Sequence, residues 1–89
     1  MSEHTNSSET ATVLFFAAAR DAAKVSEWRC PVGEGETVAS VRARVFARFE
    51  GLRGWERAVR FAVDGEYARD DATVRAGCEI AVIPPVAGG

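Results

Sequence analysis

The sequence predicts an α+β fold of two layers, a single sheet with one long helix laid across one face. Three observations carry that prediction. Several short runs rich in β-formers alternate or are wholly apolar, one longer stretch changes to a helical period, and Gly-containing turns separate them. In order, the elements are strand, strand, helix, strand, short strand, strand. Eighty-nine residues suffice for one domain with a single modest core and are too few for two.

Residues 1–10, MSEHTNSSET, are polar and Ser/Thr-rich, so they read as a flexible leader ahead of a domain over 11–83. TVLFFAA, Thr12 to Ala18, is apolar on both parities and reads as a central strand covered on both sides. A short Ala-rich helical turn is expected around Ala19 to Ala23. VSEWRC then alternates as an edge strand, Trp28 and Cys30 inward, Glu27 and Arg29 outward.

In GEGETVASVRARVFARFEGLRG the period changes. Val38, Val41, Val45, Phe49 and Leu52 recur at spacings of 3, 4, 4 and 3 while Arg42, Arg44 and Arg48 fall elsewhere, the pattern of an amphipathic helix. Thr37 is the expected N-cap, and Gly51 and Gly54 the expected stop. VRFAVDGEYA predicts a hairpin with Val59, Phe61 and Val63 inward and Asp64-Gly65 in a type I′ turn. Ala76-Gly77 then turns the chain into a last strand, CEIAVIPP.

Composition excludes several function classes. A formal charge of −2 with basic residues interspersed among acidic ones argues against nucleic acid as a partner. With no secretory signal and no apolar segment of about 20 residues, the chain reads as cytoplasmic and not membrane-bound. Cys30 and Cys78 fit no metal spacing, and His4, the one histidine, lies in the leader. No metal site or Cys–His nucleophile is therefore expected, and both cysteines read as small buried hydrophobes. Asp64 reads as a turn former and Asp70-Asp71 as loop or cap residues, not a paired-carboxylate site.

One long helix covers one face of a sheet and leaves the other. Thr12 and Glu79 mark the outward parity of the first and last strands, which puts Leu14, Phe16, Ala81 and Ile83 on the uncovered face. If those strands are neighbours, the four form an apolar patch, usually an interaction surface. A covering loop or a homodimer is the alternative.

The chain then ends on PPVAGG, Pro84 to Gly89. Pro84 and Pro85 bias this segment to extended geometry. Val86, Ala87 and Gly88 are small enough to thread a narrow channel, and Gly88 and Gly89 have no Cβ at all. At about 3.3–3.6 Å per residue the last four residues reach on the order of 13–14 Å. The distinctive group on such an arm is its α-carboxylate, ionised at neutral pH. It can attack the α-phosphate of ATP to give an acyl-adenylate, from which a sulfur nucleophile displaces AMP and leaves a thiocarboxylate.

These features together resemble the MoaD family, the small sulfur-carrier subunits of molybdopterin synthase. The matching segments are VLFFAAAR, the helix opening ETVASVRARV, the turn and strand RAGCEIAVIPP, and the ending PPVAGG. The resemblance implies a ubiquitin-like β-grasp fold, a mixed sheet in which the first and last strands are central neighbours. It implies that Gly89 is adenylated by a MoeB-like enzyme using ATP and magnesium, with no cofactor held permanently by this chain. A sulfur donor protein would then supply the thiocarboxylate sulfur, and a MoaE-like large subunit would receive the tail in a heterotetramer. Two transfers would build the molybdopterin dithiolene from cyclic pyranopterin monophosphate. In that scheme the chain is a non-catalytic carrier. Arg20 matches the Arg of the first motif and is implied to meet an acidic group on the partner, unless it is a plain surface charge.

The chain departs from the family pattern at Ala87, where Ser or Thr is usual, at Cys78, where Asp is usual, and in its added leader. Other readings are a ThiS-like carrier of thiamine biosynthesis, a ubiquitin-like protein modifier, and a β-grasp binding module without terminal chemistry.

Overall fold

The computed structural model describes residues 9–85. Strand β1 (Thr10–Phe15) runs into helix α1 (Ala17–Ala23), followed by β2 (Glu27–Pro31), helix α2 (Val38–Arg48) and a 3-10 helix over Glu50–Trp55. Strands β3 (Arg60–Val63), β4 (Glu66–Tyr67) and β5 (Glu79–Ile83) complete the chain. They form one five-stranded sheet in the order β2-β1-β5-β3-β4. β1 and β5 are parallel and every other pair is antiparallel, the mixed sheet that was expected.

β1 begins two residues before the expected Thr12, because Thr10 pairs with Pro31 and the Glu9 carbonyl accepts from the Val32 N–H. Thr10, assigned to the leader, is thus in the sheet; residues 1–8 of that segment lie outside the described residues. The strand also ends sooner than Ala18. Phe16 stays extended (φ −115°, ψ 149°), Ala17 enters the left-handed region at φ 49°, and the alanines continue as α1, as their helix propensity favours.

The core lies between the sheet and α2. Ala11, Val13, Phe15, Ile80 and Val82 from the two central strands are buried with Cys30 from β2 and Phe61 from β3. Against them pack Val38, Val41, Val45, Phe46, Phe49 and Leu52. Phe49 is the hub, its ring 5.0 Å from Phe15 and 5.4 Å from Trp28, both edge-on, the geometry that aligns a ring edge with a π face. Trp28 and Cys30 point inward as expected.

Thr37 caps α2 as predicted, and reciprocally. Its hydroxyl accepts from the Ser40 N–H while the Ser40 hydroxyl oxygen accepts from the Thr37 N–H at 3.0 Å, a capping box closed by Ser where Glu or Gln is commoner. The helix stops earlier than expected and not at a glycine. Phe49 leaves helical geometry (φ −116°, ψ 92°) and Leu52 reaches the core from the 3-10 helix instead. Gly51 has another use: a Cβ there would collide with the Ala22 carbonyl of α1, so glycine lets the two elements abut.

The Asp64-Gly65 turn has positive φ at both positions, 50° and 89°, as type I′ geometry requires. Asp64 also ties the hairpin to β5: its N–H donates to the Glu79 carbonyl at 2.8 Å, and its Oδ1 accepts from the Glu79 N–H at 2.9 Å. No helix among the described residues is long and apolar enough to cross a membrane.

Candidate functional site

The parallel pairing of β1 with β5 sets Leu14 opposite Ala81, and the antiparallel pairing of β5 with β3 sets Ala81 opposite Ala62 and Ile83 opposite Arg60. Side chains alternate across a strand, and the neighbours Val13, Ile80 and Val82 all face the core. Leu14, Ala81 and Ile83 therefore share the face that α2 does not cover. Each is half-buried, and Phe16 beyond them is 47% exposed. The strands are neighbours, so Leu14, Ala81 and Ile83 share one patch, while Phe16, one residue past the end of β1, pairs with no strand. β1 is correspondingly covered on one side, not on both.

The uncovered face extends further than the sequence reading took it. Tyr67 of β4 pairs with Ala62 and is 61% exposed. Arg60, also exposed, holds its guanidinium carbon 4.2 Å from the centre of the Tyr67 ring, a cation–π contact. Their positions on the outward parity of VRFAVDGEY were the available signal.

Arg20 is exposed on α1, one element beyond Phe16, and stands beside the patch in the chain without belonging to a strand of it. Pro84 is half-buried and Pro85 exposed, both just past the end of β5. Val86, Ala87, Gly88 and Gly89 lie outside the described residues.

The groups that stand out chemically elsewhere are structural. Cys30 and Cys78 are both free and buried, and burial raises the Cys30 thiol above its ordinary pKa, which leaves it a poor nucleophile. Glu36 receives the Arg44 guanidinium at 3.0 Å, the Ser40 hydroxyl at 2.7 Å and the Gly33 N–H at 3.1 Å. Arg44 above all, then these two hydrogen bonds, lowers the Glu36 carboxyl to about 2. Arg44 also donates to the Pro31 carbonyl at 3.0 Å, so this cluster fastens the end of β2 to α2. Among the described residues no group of three or more His, Cys, Asp and Glu is placed to hold a metal ion.

Comparison with known proteins places this arrangement. The model of the ThiS family matches residues 13–89. The molybdopterin synthase sulfur carrier subunit of Chlamydomonas reinhardtii is 34% identical over 79 residues, covering 86% of this chain and 95% of that protein. The subunit of the same name from Arabidopsis thaliana is 33% identical over 77 residues, with 86% and 80% covered. Among solved structures, a Pyrococcus furiosus chain described as molybdopterin converting factor, subunit 1, superposes with a TM-score of 0.78 at 27% identity over 86% of this chain and 98% of that one. SAMP1 of Haloferax volcanii shares the fold at a TM-score of 0.80 and 24% identity, with 90% and 99% covered. A further structure, the complex of subunits 1 and 2 of molybdopterin-converting factor from Helicobacter pylori, matches at 0.65 and 22% identity, with 90% and 99% covered. With a ubiquitin-like β-grasp sheet, a family model matched through to Gly89 and molybdopterin synthase sulfur carriers among its relatives, the chain belongs to the ThiS family and is of the MoaD type within it.

Proposed function

We propose that this chain is the sulfur-carrier subunit of a molybdopterin synthase and that Gly89 is its reacting residue. The observation that carries the reading is the similarity to two molybdopterin synthase sulfur carrier subunits across 86% of the chain. The Gly89 carboxylate attacks the α-phosphate of ATP in a MoeB-like enzyme, with magnesium balancing the phosphate charge, and pyrophosphate leaves. The terminal sulfur of a donor protein's persulfide displaces AMP from the acyl-adenylate, and a thiol then reduces the acyl persulfide so formed, leaving the thiocarboxylate and a disulfide. The thiocarboxylate tail then enters a MoaE-like large subunit, where its sulfur bonds to a carbon of cyclic pyranopterin monophosphate and water hydrolyses the resulting thioester, leaving the sulfur on the pterin and returning the tail as a carboxylate. Two such deliveries form the dithiolene.

The proposal divides the labour between two subunits. In this reading the substrate pocket and the acid–base groups belong to the large subunit. This chain contributes a docking face (Leu14, Phe16, Ala81 and Ile83) and an arm (Pro84, Pro85, Val86, Ala87, Gly88) that positions Gly89. The Helicobacter pylori neighbour is a complex of subunits 1 and 2; for this chain the proposed assembly is a heterotetramer built on a large-subunit dimer. A thiamine-type carrier would share the ThiS family match, but the relatives named above point to the molybdopterin branch.

The test is reconstitution of the cognate synthase with the full chain and with a chain lacking Gly89. Loss of molybdopterin formation with the fold retained is expected. Undiminished synthesis by the shortened chain would overturn the proposal.

A further inference from the structure

We infer that Arg60, steadied by Tyr67, is a specificity residue of the docking face that receives a carboxylate of the partner protein beside the point where the tail departs. This rests on the sulfur-carrier reading and adds the charge chemistry of the surface the partner must present. Arg60 stands opposite Ile83 in the β3–β5 register, level with the last residue of β5 and directly before Pro84. The acidic groups of the same face stand apart from Arg60: Glu79, opposite Thr12, is four residues before Ile83 and so about 13 Å back along the strand, and Glu27, opposite Leu14 and so near the level of Ala81, is three strands away on β2, about 14 Å to the side. The end of the face nearest the tail is therefore apolar along β1 and β5, with a cation on its β3 side and Glu27 across the sheet on β2.

Arg60 is suited to that use. Its charge rests on the Tyr67 ring at 4.2 Å, and a cation–π contact consumes none of the N–H donors of a guanidinium. Those donors match a carboxylate in a fork geometry that lysine lacks. A side chain already held against a ring also loses less freedom when a partner arrives. Leu14, Ala81 and Ile83 beside it would be covered by apolar partner surface, and desolvation there strengthens an adjoining ion pair. The partner so defined carries an acidic side chain next to an apolar ridge.

The experiment measures binding of the full chain to the purified cognate large subunit at several salt concentrations, for the unaltered protein and for R60Q, R60K and Y67A. R60Q is expected to bind about tenfold more weakly and to show a flatter salt dependence, since an ion pair has been removed. R60K is expected to keep the salt dependence with a smaller loss, and Y67A to weaken binding without changing it. Melting curves check that all three remain folded. R60Q binding with the affinity and salt dependence of the unaltered chain overturns the inference while leaving the carrier role standing. Failure of the unaltered chain to bind the large subunit overturns both.

Discussion

Leu14 and Ala81 face each other across the parallel β1–β5 pair, half-buried on the side of the sheet that α2 leaves open. That relationship joins two segments 67 positions apart and turns two separate apolar parities into one surface. The same β5 ends at Ile83 and releases Pro84 and Pro85, so whatever grips the surface also stands where the tail leaves. Placing a charge in the patch should therefore weaken partner binding. L14D is expected to lower affinity for the large subunit by about 2 kcal/mol or more, roughly thirtyfold, because a desolvated carboxylate there stands between Glu27 and Ala81 and has no compensating group. Isothermal titration with this variant checks it, and unchanged affinity would mean that the partner uses another face.

How much of this was legible beforehand differs between elements. Val38, Val41 and Val45 share one stripe at helical spacing, so α2 was readable, as were the Thr37 cap and the Asp64-Gly65 turn, whose side chains act within a few residues of themselves. Phe49 was readable as buried but not as the helix end: nothing in ARFEGLRG distinguishes an extended Phe49 followed by a 3-10 helix from a continuous helix ending at Gly51. That choice is made by tertiary packing, where Phe49 fits between Phe15 and Trp28 and Gly51 sits against Ala22. Likewise, Arg60 and Tyr67 join the site only through the order β5-β3-β4, a long-range pairing that periodicity does not encode.

Loss of the capping box should be measurable without disturbing the docking face. T37A removes the acceptor for the Ser40 N–H and is expected to cost about 1 kcal/mol. For a domain of this size that lowers the melting temperature by roughly 4–8 °C. Differential scanning calorimetry checks it, with partner affinity expected to be unchanged.

The contact between Gly51 and α1 makes a sharper claim. A Cβ at position 51 meets the Ala22 backbone carbonyl, which cannot rotate away as a side chain could. G51A should therefore destabilise by about 1–3 kcal/mol, the range for overpacking. By contrast, G54A should cost less, since a Cβ there meets nothing within 4 Å. Equal melting temperatures for the two variants would contradict the close approach.

Glu36 sets a pH dependence. Its carboxyl is lowered from 4.5 to about 2, chiefly by Arg44, so folding favours the charged form. The resulting stability is fully present above the unfolded-state value of about 4.5 and is lost as pH falls toward 2. E36Q should flatten the stability profile across that window while leaving its neutral-pH shape unaltered. Denaturant midpoints between pH 2 and 6 for both proteins provide the check.

The chemistry assigned to Gly89 is tested most directly by the intact mass of the full chain after incubation with its activating enzyme, ATP, magnesium and a sulfur donor. A C-terminal thiocarboxylate requires an increase equal to the difference between one sulfur and one oxygen atom, localised to the last peptide and absent without ATP. A mass that stays at the carboxylate value, or that rises only through attachment of the C-terminus to lysines of other proteins, would contradict the sulfur-carrier assignment.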